Sequence, residues 1–453
     1  MQPLPPLARP TRGINHVIAY GQSLSTGWEG WPALSTTPRH DSLMLGASVR
    51  PAGEYAPEFV PVGGPVLTRL RATVQDHQTG KLLDAAGIAA LPRGHVALGE
   101  TVMEGALDLW RGRMLAEGAV RGLNLLLASA CGVGGRPIER LAKGAQPDLF
   151  NRLRDCVRLG REAAEGAGRS YGLTALLLLQ GEHNNWAIDG GTDDRAAYKT
   201  LLQTLHRDML ADLGALAGPG ALAGQGALAG QGAPPALFLY QTGGAYASDH
   251  MAIPMAQLET ALEVPGVFLA APVYPVTDKG GHLDANGYRW LGAQFGKVMH
   301  HVLSRNLPWQ PLHPTGAAVD GRVATIRFHV PVAPLRFGQP MSGLRRIDVP
   351  DQGFAVLDEA GEVPVEGVAL AGPHSVAVTL ARPPGPGAWV RYAGRTRHGG
   401  RGGLHDSDPT VAENRYEYDP ANGHYPEADI PGLTGQPYPL MNWCVAFAQP
   451  LPG

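Results

Sequence analysis

The sequence predicts an open α/β sheet of parallel strands, followed by an all-β domain. Short apolar runs without alternation fall at 14–20, 123–129, 173–180, 236–241 and 267–271. Helix-like stretches accompany them at 99–117, 149–165, 193–213 and 285–303. After residue 306 the texture changes to short β-like runs separated by Pro and Gly.

Continuous apolar runs suit strands buried on both faces of a sheet. Strands that alternate with helices favour parallel pairing through right-handed crossovers. Two segments interrupt the rhythm. Residues 30–94 are rich in Pro, Gly and Thr and read as a long insertion after the first strand, the kind of segment that often forms a lid or binding wall. Residues 214–235 carry tandem GALAG units and read as a low-complexity linker or surface loop. Beyond 306, the runs at 323–330, 355–357, 375–380 and 389–392 suggest a sandwich.

A length of 453 residues exceeds one typical domain. The natural division is an extension at 1–12, an α/β domain at 13–305 and a β-rich accessory domain at 306–453. The net charge of −3 and the lack of a long basic run argue against a nucleic-acid partner. The short basic run at 395–401 reads as a solvated loop. Three cysteines make neither a disulfide framework nor a zinc motif, so Cys131, Cys156 and Cys444 read as buried, inert thiols. No apolar stretch is long enough to span a membrane. The N-terminus lacks the apolar core of a signal peptide, so the chain as given reads as cytoplasmic, or as exported if a leader has been removed.

Four polar segments stand directly after predicted strands. The first is Tyr20-Gly21-Gln22-Ser23-Leu24-Ser25. A serine at a strand-to-loop turn presents its hydroxyl at the carboxyl edge of the sheet, where ligands bind in such folds; the alternative is a helix cap. The second is Cys131-Gly132-Val133-Gly134-Gly135-Arg136-Pro137-Ile138-Glu139, whose glycines allow close backbone approach and an N–H aimed at an oxyanion; the alternative is a tight turn. The third is Gln180-Gly181-Glu182-His183-Asn184-Asn185-Trp186, where the Asn184 amide can donate to an oxyanion or cap a loop. The fourth is Asp278-Lys279-Gly280-Gly281-His282-Leu283-Asp284. A serine hydroxyl needs a base, histidine suits that task near neutral pH, and a carboxylate fixes its tautomer. With 16 histidines in the chain, His282 alone is unremarkable. All four segments share one edge of a parallel sheet, and their joint placement points to chemistry.

These segments resemble the blocks of the SGNH (GDSL-like) hydrolase superfamily, in the branch that includes sialate O-acetylesterases and acetylxylan esterases. Gly21-Gln22-Ser23 is similar to the first block, Gly134-Gly135-Arg136-Pro137-Ile138 to the second, Gln180-Gly181-Glu182-His183-Asn184 to the third, and His282 with Gly287-Tyr288 to the last. The resemblance covers roughly 13–303. It implies a flavodoxin-like parallel sheet with helices on both faces. It also implies a serine esterase that removes a small acyl group, acetyl foremost, from a carbohydrate, with no metal or cofactor.

The roles that follow are Ser23 as nucleophile, His282 as base and Asp278 as the acid. The N–H groups of Ser23 and Gly135, with the Asn184 amide, form the oxyanion hole. Gln22, Gln180, Glu182, Trp186 and Arg136 are expected on the substrate side, Arg136 meeting either an acidic sugar or Glu139. Trp28, Trp31 and Trp186 are candidates for stacking on sugar faces. The family places its acid three residues before the histidine, where this chain has Lys279, so Asp284 is the runner-up to Asp278. The accessory domain resembles those of sialate O-acetylesterase-like enzymes, with Val390-Arg391-Tyr392-Ala393 as its echo, and is expected to wall the cleft or bind glycan. Other readings are a lipase or thioesterase for longer acyl chains, and a non-catalytic glycan-binding module on a hydrolase scaffold.

Overall fold

The computed structural model describes residues 4–92, 97–217, 232–341, 349–422, 424 and 426–452. Seven strands form the central sheet: β1 (Ile14–Gly21), β2 (Leu43–Leu45), β3 (Leu67–Arg69), β4 (Leu125–Ala130), β5 (Tyr171–Leu179), β6 (Ala236–Gln241) and β7 (Val267–Pro272). Their spatial order is β3-β2-β4-β1-β5-β6-β7, and only β3 runs antiparallel to its neighbour. The five strands foreseen in the sequence therefore take the flavodoxin-like order 2-1-3-4-5. The chain leaves β1 to one side and later returns to the other, which opens a crevice beyond the carboxyl end of β1.

The unpatterned apolar runs have a direct cause. Every residue of β1, β4 and β5 is buried. Successive side chains enter opposite layers: Val17 and Ala19 join one buried cluster, while Ile18 and Tyr20 join the other. Helices α1 (Val102–Ala116) and α5 (Ala285–Met299) cover the first face. Helices α2 (Asn151–Gly166) and α3 (Arg195–Ala217) cover the second, and α4 (Ala252–Glu263) packs beside α3. Thr101 and Glu104 close a reciprocal capping box at the start of α1, and Asp284 caps α5. The sequence reading missed α4, whose segment contains Pro254 and carries no flanking cap signal. The first GALA unit continues α3 to Ala217; 218–231 lie outside the described residues.

The insertion is built into the fold and reaches the candidate site, where His77 meets the Trp28 ring at 5.0 Å. It supplies β2 and β3, and two buried arginines tie it to the rest. Arg50 donates to the carbonyls of Thr26, Thr73 and Gly99. Arg152, on α2, donates to the carbonyls of Gly53, Glu54, Ala56 and Gly132. A guanidinium fork satisfied by several carbonyls fixes loop backbone that no regular element organises.

The β-rich region forms two four-stranded antiparallel sheets. One is ordered β8-β9-β13-β12, from β8 (His313–Asp320), β9 (Val323–His329), β12 (Val365–Gly372) and β13 (Ser375–Leu380). The other is ordered β11-β10-β14-β15, from β10 (Phe354–Asp358), β11 (Gly361–Val363), β14 (Trp389–Tyr392) and β15 (Phe447–Pro450). Ile326, Val376, Val356 and Val390 belong to the same buried cluster as α1 and α5, so the apolar core runs through both regions. The segment after 401, unassigned from sequence, lies along α5: Trp290 donates to the Pro439 carbonyl, and the Lys297 ammonium pairs with Asp408.

Candidate active site

Ser23 opens a single helical turn, Ser23–Thr26, immediately after β1. Gly21 permits that turn. Its φ is 138°, and a Cβ there would stand 2.0 Å from the Leu179 carbonyl oxygen. Ser23 Oγ lies 2.8 Å from His282 Nε2. His282 Nδ1 lies 3.2 Å from Glu29 Oε2. A hydroxyl, an imidazole and a carboxylate are thus in line, with the Glu29 carboxylate at ion-pair distance from Nδ1.

The acid is the main correction to the sequence reading. Asp278 does not face His282 Nδ1. Its carboxylate accepts from the Gly280 N–H at 2.8 Å and pairs with Arg401 at 3.0 Å. Asp284 caps α5 and accepts from the Gly287 N–H at 2.7 Å and the Thr277 hydroxyl. Lys279 N–H bonds the His282 carbonyl at 2.7 Å, so the segment is a tight hairpin that turns its own carboxylates away from the imidazole. Glu29 reaches the ring from the other side. Its backbone is left-handed (φ 62°), a conformation costing about 1–3 kcal/mol and typical of functional positions. The Glu29 N–H bonds the Ala97 carbonyl at 3.0 Å, which helps to hold the turn. Lys279, three residues before His282, donates to the Trp31 carbonyl at 2.8 Å and lies 5.4 Å over the Trp31 ring. Burial lowers its pKa to about 8, against the pull of Asp284 and Glu29.

The three groups expected to donate to an oxyanion differ in their surroundings. Ser23 begins its helical turn, so its N–H has no partner within it. Gly135 follows β4 with φ 65°, and the Gly134 N–H beside it is held by the Glu54 carboxylate at 3.1 Å. Asn184 is a second correction. Its oxygen accepts from the Ile138 N–H at 2.9 Å and from Gln180 at 2.6 Å. Its nitrogen donates to Glu139 at 3.0 Å and to the Thr192 carbonyl at 3.1 Å. The amide is fully committed and buried, leaving nothing for an oxyanion.

Gln180 and Glu182 are buried and also depart from the substrate-side expectation. Gln180 accepts from the Tyr198 hydroxyl at 2.6 Å and donates to Asn184. Glu182 accepts from Tyr240 and from Thr242, and burial raises its pKa. Gln22 is buried as well, and its carbonyl oxygen accepts from the Gly181 and His183 N–H groups, joining β1 to the turn after β5. Arg136 donates to the Gly135 carbonyl at 2.9 Å and lies over the Tyr55 ring; Glu139 serves Asn184 and Thr192 instead.

The rim is aromatic. Trp28 lies 6.1 Å from His282 between ring centroids, and Tyr246 lies 6.2 Å away on the other side. Trp186 is 41 % exposed, but Arg395 covers one face at 4.5 Å. Trp31 is buried beneath Lys279 and offers no face to a ligand. The 395–401 run is exposed over 395–397, as expected of a solvated loop, but Arg395 reaches the rim, Arg397 pairs with Asp351 and Glu362, and Arg401 is buried against Asp278. The sequence reading missed Glu29, Tyr246, Arg395 and Glu54. Glu29 lies only six residues after the serine, but nothing in the sequence shows that it turns back toward His282.

Among the described residues no cluster of His, Cys, Asp or Glu has metal-holding geometry, and no helix is long and apolar enough to cross a membrane. The three cysteines are buried free thiols. No protein-family model and no curated protein matches the chain. A solved structure of a carbohydrate acetylesterase from Xanthomonas citri is similar at 15% identity, over 86% of this chain and 77% of that one, with a TM-score of 0.51. A protein from Arabidopsis thaliana aligns at 15% identity over 66% of this chain and 100% of its own, with a TM-score of 0.38. At such identity, the likeness to the Xanthomonas citri protein is one of fold: a parallel α/β sheet carrying a β-rich region.

Proposed function

We propose that this protein is a serine esterase that removes small acyl groups, acetyl foremost, from a carbohydrate. The observation that carries the reading is the Ser23–His282–Glu29 line. The block resemblance, the strand order and the fold shared with a carbohydrate acetylesterase support the substrate class and a place among the SGNH hydrolases.

In this mechanism Ser23 Oγ attacks the ester carbonyl while its proton passes to His282 Nε2. Glu29 stabilises the imidazolium through Nδ1. The N–H groups of Ser23 and Gly135 receive the negative charge on the tetrahedral oxygen, where each donor is worth about 2.7–4 kcal/mol. His282 then protonates the ester oxygen of the sugar as the acyl C–O bond breaks, and the sugar leaves with a free hydroxyl. Water, deprotonated by His282, attacks the acyl-serine and releases the acid.

The test is hydrolysis of aryl acetate and aryl decanoate by the purified protein, with acetate release from acetylated glycans. Fast turnover of the acetate, lost in Ser23→Ala, is expected. Equal or faster turnover of the decanoate moves the assignment to a lipase, and no turnover of any ester ends the reading.

A further inference from the structure

A cavity lies at the end of α5 far from His282. Its volume is about 330 Å³. Helix α5 starts beside His282 and rises about 22 Å over its length, so the cavity is remote from Ser23. One wall is the end of α1 and α5; the other comes from the crossing into the β-rich region. Clefts between domains are common ligand sites.

Arg113 and Arg305 line the space together with the Lys297–Asp408 pair, His300, His301 and His329, and Trp309 stands beside them. Arg113 and Arg305 meet no carboxylate among the described residues. Lys297 is paired with Asp408, and His300 is paired with Glu117 at 2.9 Å. Burial and the neighbouring cations lower the pKa of His300 and of His301. Cations also suit the carboxyl ends of two helices, but that does not account for the shape. Helix α5 ends in a wide turn, with the Arg305 N–H bonded to the His300 carbonyl five residues back at 3.0 Å. Such turns recur at functional sites. Pro308, Pro331 and Val332 add apolar wall next to Trp309.

We propose that this cavity binds an anionic saccharide, its acidic group held by Arg113 and Arg305 and its ring set against Trp309. The anion part stands on the cavity alone; the saccharide part rests on the carbohydrate reading of the Ser23 site. The site anchors an acidic glycan away from the chemistry.

The full chain is titrated by calorimetry with an oligogalacturonate, a neutral oligosaccharide of equal length, and inorganic phosphate. The acidic oligomer is expected to bind with a Kd tighter than about 1 mM. Arg113→Ala/Arg305→Ala should weaken it at least about tenfold, equivalent to 1.4 kcal/mol. Aryl acetate hydrolysis should be unchanged in that variant, which alters only exposed side chains. Absence of acidic-oligomer binding, equal binding of the neutral oligomer, or unchanged affinity in the double variant overturns the proposal. Phosphate binding as tightly as the oligomer overturns its saccharide part. Loss of ester hydrolysis in the unaltered protein would sink the Ser23 reading and leave these binding results standing.

Discussion

The turns after β1 and β5 lie side by side at one edge of the sheet and use similar polar residues to opposite ends. After β1, Ser23 and Glu29 both turn toward His282. After β5, Gln180, Glu182 and Asn184 all turn inward and bond to protein groups. A buried amide must find partners, and where the protein supplies all of them the group is scaffold. The more distinctive motif in the sequence is therefore bonded into the fold, and the plainer one carries the proposed chemistry.

The sharpest way to break that contrast is at the nucleophile. Ser23→Ala should lower kcat on aryl acetate by about 10⁴-fold or more with an unchanged melting temperature. Glu29→Gln should cost about 10²–10⁴-fold in kcat, while Asp278→Asn costs less than about tenfold. The reverse order would return the acid to the histidine hairpin.

On the other side of the contrast, Asn184→Ala should lower stability by about 3–5 kcal/mol in urea unfolding, since it strands several buried partners. A fully stable variant with a depressed kcat would make Asn184 an oxyanion donor after all.

Glu54 gives a pH test. Burial raises its carboxyl to about 7, although Arg152 and the Gly134 N–H favour the anion. The folded state therefore keeps a proton that the unfolded chain releases from about 4.5 upward. The contribution is present below that range and is lost as pH rises toward 7, by up to about 3 kcal/mol. Urea midpoints of Glu54→Gln should show a shallower fall between pH 4.5 and 7 than the unaltered protein. Parallel slopes would clear Glu54 of this role.

The smallest effect belongs to the rim. Arg395→Ala should raise KM for an acetylated glycan by roughly two- to fivefold and leave aryl acetate untouched, in keeping with a surface cation–π contact. Equal effects on both substrates would place Arg395 in the scaffold.

The fold was legible because burial on both faces writes itself as unbroken apolar runs, and every such run became a strand. The short β2 and β3 were hidden because three residues at a sheet edge leave no periodicity. Ser23 and His282 were legible as strand-end residues. Glu29 was not, because its reach depends on one left-handed residue and on how the hairpin 278–283 closes. Lys279, three residues before His282, was the available warning. Asn184 was misread because sequence shows an amide's identity and not its partners.

Gln241, at the end of β6, grips Ala446 through both halves of its amide, at 2.7 and 2.9 Å. Arg401 seats the hairpin that carries His282. During synthesis the ribosome makes both distant partners long after the imidazole has emerged. The nascent α/β portion thus leaves the exit tunnel with the His282 hairpin lacking its Arg401 contact, which forms only when the β-rich region folds back onto it.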